Sequence, residues 1–311
     1  MGLGVTAGQV LVMFCFMGLG AAAGRLGWIK AEANAGLTQV VLWFVLPALI
    51  ITAFHRPFSL SQLGGFGLAF AVAMVSYAVT IGLARVVFGG WVADDATRRA
   101  LRFGSVYGNV GFLGLPLVQA LLGADGVFYA VTGVTAFNLL VWTHGWSLFS
   151  PRAATSWRTR LGRLAKNPNL LALAVGLIVF LLSVPLPGLL VTGLDYLAAM
   201  NAPLSMMVIG VSLSALSWRD FAHDGWSWLG TAARNLVFPL VTFGLLWAVP
   251  LGFDAKLAVL IVLSCPAAAF LVMFSLAHRV DAAFGARFVC VSTLASIVTL
   301  PGLVGLAHLV W

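Results

Sequence analysis

Acidic residues are scarce in this sequence. Asp and Glu together account for 9 of 311 residues, and Glu32 is the only glutamate. None of the nine lies in the middle of a long apolar run, where carriers of sodium ions and protons commonly keep a carboxylate. The sequence therefore disfavours a sodium–proton antiporter and an acid-based sodium site.

Cysteine is rare as well, and the motifs of intramembrane enzymes are missing. Cys15, Cys265 and Cys290 lie in apolar runs without metal-binding spacing, and their positions suggest no disulfide framework. The chain contains neither the GxGD nor the HExxH motif of intramembrane proteases. We expect no cofactor, no metal ion and no enzymatic activity, and an intramembrane enzyme is the least favoured alternative.

Long apolar runs dominate what is present. Hydrophobic residues make up 61% of the chain, and its mean hydropathy is +1.05. A helix needs about 20 apolar residues to cross a bilayer. Runs of about this length cover residues 5–24, 33–53, 62–85, 99–122, 126–149, 168–184, 190–214, 229–249, 257–277 and 287–309. The sequence predicts an all-α integral membrane protein of ten transmembrane helices, surrounded by the lipid bilayer.

Basic residues are distributed unevenly between the two sides of this predicted membrane protein. The formal net charge is +8, but most Lys and Arg residues fall in alternate connections, and the other connections hold only Arg56 and Lys256. The positive-inside rule assigns the basic side to the cytoplasm. Both termini are then expected outside the cytoplasm, in a plasma or inner membrane, and no nucleic-acid partner is needed to explain the charge. Arg234, near the start of the eighth run, is expected to reach the inner interface.

One long polar connection divides the chain into two halves of five spans. The expected units are residues 1–150, a first five-helix repeat; residues 151–167, a cytoplasmic linker; and residues 168–311, a second five-helix repeat. Because five is odd, the second half has the opposite orientation, a plan common among secondary transporters. Pro47 and Pro203 lie 156 residues apart at matching positions in the second span of each half.

The segment YGNVGFLGLPL, residues 107–117, places poor helix formers inside the fourth apolar run. One interpretation is close helix packing through small residues, with Asn109 as an interhelical hydrogen-bonding group. The other is an interruption of the helix near the bilayer midplane. Three glycines around Asn109, with Pro116 just beyond, favour the interruption.

An interrupted membrane helix suggests an anion-binding site. Each interruption creates a helix N-terminus with unpaired N–H groups and a partial positive charge. Pro266 favours a second interruption in the ninth run, so two such ends would meet near Asn109. The preceding half-helices direct C-termini of opposite sign at the same region, and no basic residue is expected there. An inside-negative potential contributes about 2.3 kcal/mol per charge per 100 mV to anion exit, which favours export.

Several segments together resemble the auxin efflux carrier family, which includes plant PIN-formed auxin exporters and bacterial malate-type permeases. These are YGNVGFLGLPL, ALLGADGVFYAVTGVTAFNLLVWTHG, NPNLLALAVGLIV, LDYLAAMNAPLSMMVIGVSLS and VSTLASIVTLP, and the resemblance covers essentially the full chain. It implies two inverted five-helix repeats with broken, crossing helices 4 and 9, as in bile-acid symporters and sodium–proton antiporters. It also implies a scaffold of spans 1, 2, 6 and 7 and a mobile transport domain of spans 3–5 and 8–10.

The resemblance implies roles for single residues as well. Asn109 corresponds to an asparagine that contacts the substrate carboxylate where the helices cross, and Pro266 corresponds to the proline of the second crossing helix. Gly108 departs from the plant members, which carry a proline before the asparagine. The implied substrate is a small organic anion, auxin-like or malate-like, moved by elevator-like or rocking alternating access.

The candidate residues form two sets. Substrate-binding candidates lie at the two interruptions and on the fifth span: Gly108, Asn109, Val110, Gly111, Asn138, Ser264, Cys265, Pro266 and Ala267. For Asn138, Ser264 and Cys265, helix packing is an equal or better explanation. Residues expected to break or bend helices are Pro47, Gly114, Pro116 and Pro203.

We predict a secondary transporter of small organic carboxylates, with export favoured. A ten-helix drug or metabolite exporter and a sodium- or proton-coupled organic-acid symporter are the alternatives. The expected partners are the organic anion and the lipid bilayer, and a homodimer is left open.

Overall fold

The structure is a computed structural model that describes residues 3–150, 162, 164–214, 224–278 and 281–311. Within these ranges the chain is helical, and its only strand-like pairing is one isolated bridge between two extended residues. Residues 151–161 and 163 of the predicted linker lie outside the described residues. The all-helical character expected from the apolar runs is confirmed for the described part of the chain.

Helices in the first half follow one another with short connections. They are α1 (Leu3–Arg25), α2 (Ala31–Val40), α3 (Leu46–Phe54), α4 (Leu60–Val87), α5 (Asp95–Val106), α6 (Leu115–Leu140) and α7 (Trp146–Phe149). Three π-helical turns occur in this half. Val41–Val45 joins α2 to α3 and Val141–Gly145 joins α6 to α7, whereas Val110–Gly114 leads into α6 after a non-helical stretch at residues 107–109. Helix α6 contains one non-helical residue, Gly123, whose φ of 61° is readily adopted by glycine.

Helices in the second half have a similar succession. They are α8 (Pro168–Leu181), α9 (Gly188–Ala199), α10 (Asn201–Ser214), α11 (Gly225–Ala232), α12 (Phe238–Trp247), α13 (Phe253–Leu263), α14 (Phe270–Ala277) and α15 (Ala282–Val310). A fourth π-helical turn, Ala233–Val237, joins α11 to α12. One residue, Met200, separates α9 from α10, and Pro203 lies in the first turn of α10.

Polar side chains cap several helix starts at the ends of apolar runs. The Asp94 carboxylate accepts a hydrogen bond from the Thr97 backbone N–H at 2.7 Å at the start of α5. Hydrogen bonds from Thr97 lower the pKa of Asp94 below its ordinary value. Comparable caps begin other helices: Ser59 at α4, Asn167 at α8, Asp224 at α11 and Asp281 at α15. Short polar side chains at these positions start the helices, either where the predicted apolar run begins or up to five residues before it.

Prolines follow three of the four π-helical turns. Pro47, Pro116 and Pro239 are each the second residue after such a turn. A proline lacks the N–H donor and its ring crowds the carbonyl four residues earlier, and a wider turn relieves that crowding. Pro47 and Pro116 therefore deform helices without breaking them. The chain leaves the helical conformation at residues 107–109 and 264–269.

Helices α1 and α10 pack with their backbones in contact. A Cβ atom at Gly20 would overlap the backbone of Met207, and one at Gly210 would overlap the carbonyl of Met17. Small residues allow membrane helices to approach this closely. The contact joins the first span of one half to the seventh apolar run in the other half.

Six helical segments of the described chain are long and apolar enough to cross a membrane, by length and composition. They are Ala31–Phe54, Leu60–Val87, Val110–Phe149, Gly188–Ser214, Gly225–Trp247 and Ala282–Val310, with shorter apolar helices at Leu11–Arg25 and Pro168–Leu181. The number is lower than ten because the first and sixth apolar runs give only the shorter helices and the ninth run is interrupted. The fourth run is also interrupted, and its second part continues into the fifth. Helices α5, α13 and α14 have 12, 11 and 8 residues, and Val110–Phe149 continues across Gly123.

Candidate binding site at two helix breaks

The two interruptions lie against each other in the folded chain. Helix α5 ends at Val106 and helical structure resumes at Val110, and α13 ends at Leu263 before α14 begins at Phe270. Gly108 and Ala267 form an antiparallel bridge. We call residues 107–109 and 264–269 the paired breaks.

Backbone hydrogen bonds between the paired breaks satisfy groups that the helices release. The N–H of Asn109 donates to the carbonyl of Pro266 at 2.7 Å, and the N–H of Ala268 donates to the carbonyl of Tyr107 at 2.9 Å. Non-helical backbone is tolerated at membrane depth only when its polar groups are buried in protein or face a wet cavity. Each break therefore supplies the partners that the other requires.

A cavity of about 490 Å³ borders the paired breaks. Its lining is mostly apolar and aromatic, with amide side chains and one lysine, and contains no Asp or Glu. The lining residues are Thr38, Leu42, Trp43, Leu46, Gly108, Asn109, Val110, Gly111, Phe112, Val134, Phe137, Asn138, Trp142, Lys166, Asn167, Pro168, Asn169, Ala268, Ala269, Phe270 and Met273. The volume lies in the range of small-molecule sites.

Two helix N-termini face this cavity. The helical segment that begins at Val110 and the helix α14 that begins at Phe270 both contribute their first residues to the lining. Helix N-termini carry unpaired N–H groups and a partial positive charge, so they attract anions. The paired breaks thus direct two such ends at one volume.

The Asn109 side chain lies between these ends. Its Oδ1 accepts a hydrogen bond from the backbone N–H of Phe112 at 3.3 Å, which caps the new helix. Its Nδ2 has no hydrogen-bond partner among the described residues. An amide nitrogen is a donor that a carboxylate oxygen accepts readily.

Asn138 joins the cavity to the start of α8. Its Nδ2 donates to the carbonyl of Val134 at 2.8 Å, and its Oδ1 accepts from Asn167 Nδ2 at 2.7 Å. The Oδ1 of Asn167 caps α8 by accepting from the N–H of Asn169 and of Leu170. Asn167 and Asn169 were missed by the sequence-based prediction, although the Asn-Pro pair is typical of a helix start.

The nine substrate-binding candidates separate into two groups in the structure. Gly108, Asn109, Val110, Gly111 and Asn138 line the cavity, whereas Ser264, Cys265, Pro266 and Ala267 do not. The second group is buried: Cys265 Sγ donates to the carbonyl of Ile261 at 3.2 Å, and the Ala267 N–H donates to Ser292 Oγ at 2.9 Å. These four residues shape the second break. Gly114 packs closely against the end of α13. A Cβ atom added at Gly114 would lie 3.1 Å from Cys265 Sγ and 3.3 Å from Val262 Cα.

Arg234 corrects the prediction that this cation reaches the inner interface and that the paired region holds no basic residue. Its side chain is 2% exposed and lies behind the paired breaks. Its guanidinium donates to the carbonyls of Leu263 and Cys265, each at 2.7 Å, and to those of Val106 at 2.8 Å and Ser105 at 3.4 Å. The carbonyls of Ser105, Val106 and Leu263 belong to the C-terminal turns of α5 and α13, where helices lack N–H partners, and that of Cys265 lies just beyond α13.

The position of Arg234 determines which of the opposite partial charges at the helix ends remains unbalanced. Each helix C-terminus carries about −0.5 charge, so the two ends together approximate one negative charge, which the guanidinium of Arg234 balances. The two N-termini at the cavity, each about +0.5, then remain uncancelled. The cavity side of the paired breaks is suited to one negative charge.

Gly108 separates the guanidinium from the cavity. A Cβ atom at this position would overlap Arg234 Nη2 and lie 2.7 Å from the carbonyl oxygen of Cys265. The φ of Gly108 is outside the left-handed region, so the requirement for glycine is one of space. The backbone at residue 108 thus lies between the cation and the cavity.

Comparisons with known proteins give the class of this chain. A family model described as membrane transport protein matches it twice, over residues 5–157 and 156–304. With its apolar helices, the chain is therefore a multi-pass integral membrane protein of a transporter class. It belongs to this membrane transport protein family, which is the auxin efflux carrier family that its motifs resemble.

Two archaeal relatives match nearly the whole chain. One, an uncharacterized transporter of Methanothermobacter thermautotrophicus, is 28% identical over 285 residues, which cover 89% of this chain and 90% of the relative. The other, an uncharacterized transporter of Methanocaldococcus jannaschii, is 25% identical over 302 residues, covering 94% and 95%.

Proposed function

We propose that the protein is a secondary transporter of small organic carboxylates and binds the carboxylate group at the paired breaks. The observation that carries the proposal is the convergence of two helix N-termini and the unpartnered amide nitrogen of Asn109 on one cavity without an acidic lining residue. With Arg234 balancing the opposite helix ends, this side of the paired breaks attracts an anion without a basic side chain in contact with it.

The lining favours a carboxylate with an apolar or aromatic body. Trp43, Phe112, Phe137, Trp142 and Phe270 supply large apolar surfaces within the same cavity as Asn109. Aromatic rings contribute large contact areas at small entropic cost. A dicarboxylate is the second candidate, because the exposed Lys166 borders the cavity and offers a site for a second negative charge.

We further propose ten membrane spans arranged as two inverted five-helix repeats, residues 1–150 and 168–311, with broken helices 4 and 9 crossing at the paired breaks. The family model matches each half separately, and the two breaks pair in antiparallel fashion, and both observations support this plan. Spans 1, 2, 6 and 7 form the scaffold in this proposal, and spans 3–5 and 8–10 form a transport domain that moves in an elevator-like cycle.

Contacts between connections support an orientation with both termini outside the cytoplasm. Asp224 pairs with Arg287 at 2.8 Å, and the rings of Trp91 and Trp226 lie 5.4 Å apart, so three basic connections gather at one end. We assign this end to the cytoplasm of a plasma or inner membrane by the positive-inside rule. An inside-negative potential then favours anion export.

Transport by purified protein in liposomes tests the proposal, with indole and aryl monocarboxylates compared against dicarboxylates. Asn109→Asp keeps the size and the capping oxygen of Asn109 but replaces its donor with a negative charge. Asn109→Ala removes one charge-assisted hydrogen bond, worth about 1.5–3 kcal/mol. We expect Ala to weaken carboxylate binding by about 10- to 100-fold and Asp to abolish it.

The control is Asn34→Ala, which removes a buried amide from the scaffold contact between α2 and α10. This variant is expected to retain the substrate affinity of the unaltered protein. Folding of every variant is checked by its elution as a monodisperse species in detergent. Unchanged affinity in Asn109→Asp, with normal transport, would contradict the proposed site.

A further inference from the structure

Backbone carbonyls hold the Arg234 side chain in the way that they would hold a bound metal cation. Its guanidinium forms no ion pair with an acidic residue of the described chain. It donates instead to the carbonyls of Ser105, Val106, Leu263 and Cys265. A buried charge without compensation is costly. Here the compensation comes from two helix C-termini, which together carry about one negative charge.

Unwound carbonyls and half-helix C-termini are the groups that coordinate a coupling cation in transporters with interrupted helices. A sodium or potassium ion at this place would need the same oxygens that the guanidinium of Arg234 occupies. The space that remains beside Arg234 is a cavity of about 10 Å³, bordered by Ser76, Tyr77 and Thr80. That volume is enough for one water molecule and too small for an ion with its own shell of ligands.

The residues around Arg234 keep it in this position. The neighbouring Asn235 donates to the carbonyl of Ser292 at 2.8 Å and accepts from Ser292 Oγ at 2.6 Å, while Ser292 Oγ accepts from the N–H of Ala267. Arg234 therefore binds the second break directly, and Asn235, the next residue of the same π-helical turn, is linked to it through Ser292. The backbone that carries Arg234 is thus fixed beside the second break, in addition to the hydrogen bonds of its own guanidinium.

We propose that Arg234 is a resident cation that replaces a coupling sodium or potassium ion at the paired breaks. Carboxylate binding and transport then require no alkali-metal cation. The transport part of this inference rests on the proposed function, whereas the part about the cation can be measured on the protein alone. Arg234 is a positioning residue, because Gly108 and the break backbone separate it from the cavity.

The first experiment measures carboxylate transport in liposomes containing sodium, potassium or only choline as the monovalent cation. We expect the three rates to agree within about twofold. A loss of tenfold or more in choline, restored by sodium or by potassium, would overturn the proposal. If no carboxylate is transported in any of the three salts, the proposed function has failed, and the second experiment decides the question of the cation.

The second experiment is chemical rescue. Arg234→Ala removes the cation and leaves a guanidinium-sized space, so we expect a lower melting temperature and a loss of transport of ~100-fold or more, as for other buried charges that lose their partners. Millimolar guanidinium is expected to restore melting temperature and transport, whereas choline is not. Arg234→Lys, which retains a charge but fewer donors, is expected to be intermediate.

Arg102→Ala is the matched control, because Arg102 also donates to carbonyls, those of Phe88 at 2.8 Å and Arg85 at 3.4 Å, but near the end of α4. We expect its transport within about twofold of the unaltered protein and no response to guanidinium. Arg234→Ala with a normal melting temperature, or with rescue by sodium and not by guanidinium, would overturn the resident-cation proposal.

Discussion

At the scale of single residues, the paired breaks depend on a close match between a glycine and an arginine. Gly108 has a cavity on one side and the Arg234 guanidinium on the other. The match requires glycine at this position, since any side chain would occupy the space of the guanidinium. The two residues form one structural unit.

Gly108→Ala is expected to destabilise the protein by about 1–3 kcal/mol, the range for overpacking a well-packed interior. The added methyl overlaps Arg234 Nη2 and approaches the carbonyl of Cys265, and neither can move away freely. Thermal unfolding in detergent measures the effect. Gly111→Ala serves as the control, because its methyl would meet only the end of the Leu46 side chain at 3.3 Å.

A double-mutant cycle identifies the source of the effect. In an Arg234→Ala background, Gly108→Ala is expected to add little further destabilisation, because the overlapping group is gone. Equal destabilisation by Gly108→Ala in both backgrounds would contradict the account of Gly108 and Arg234 as one unit.

The sequence indicated a helix interruption at Asn109 but not the buried position of Arg234 beside it, and the reason is physical. Asn109 is flanked by glycines, so its surroundings along the chain already indicate a break. Arg234 lies near the start of the eighth apolar run, where local rules place a snorkelling side chain. Its partners are 129 residues away at Ser105 and 31 away at Cys265, and only the folded chain brings them together.

At the scale of helices, the second break is held by several neighbours in addition to its proline. The Pro266 carbonyl accepts from Asn109, the Cys265 carbonyl accepts from Arg234, and the Ala267 N–H donates to Ser292. Pro266 itself has no N–H and disfavours a continuous helix. Pro266 thus disfavours a continuous helix, and the hydrogen bonds from neighbouring residues stabilise the break.

Pro266→Ala is expected to retain carboxylate affinity and to reduce turnover. A proline in a helix interior costs about 3 kcal/mol, so its removal makes a continuous helix across residues 264–269 more accessible by about two decades. We expect turnover to fall by ~10-fold or more in liposome assays. Pro301→Ala is the control, because Pro301 lies inside the continuous helix α15. Equal turnover in both variants would contradict this role for Pro266.

The sequence predicted the positions of helices better than it predicted the effect of each proline on them. Apolar length alone predicted where helices lie, and polar caps such as Asp94 and Asp281 stand at their starts. The sequence did not distinguish prolines that produce a π-helical turn, such as Pro47, from Pro266 at a break. Both lack an N–H donor, and the difference arises from which neighbouring groups donate hydrogen bonds to the carbonyls left without a helical partner.

At the scale of the whole molecule, one hydrogen bond joins the two proposed moving parts beside the cavity. Asn138 belongs to the proposed transport domain, and Asn167 caps α8 in the proposed scaffold, with Nδ2 and Oδ1 2.7 Å apart. If alternating access moves one domain against the other, this contact must open in each cycle. A covalent bond at the same place should stop the cycle.

Cysteines at positions 138 and 167, in a background where Cys15, Cys265 and Cys290 are replaced by serine, test this expectation. We expect oxidation to abolish carboxylate transport by Asn138→Cys/Asn167→Cys and reduction to restore it. The single-cysteine variants, treated in the same way, should not respond to the oxidant. Cross-linked protein that transports at the rate of reduced protein would rule out relative movement at this contact.

The most direct measurement of the central claim is an experimental structure of the protein with a halogenated aryl monocarboxylate, located by the signal of the halogen. The account predicts the carboxylate within hydrogen-bond distance of Asn109 Nδ2, between the helix ends that begin at Val110 and Phe270. A second cavity of about 500 Å³, bordered by Ser61, Tyr129 and Asp254, offers a competing place of similar size. A ligand bound there, with the paired breaks unoccupied, would contradict the account.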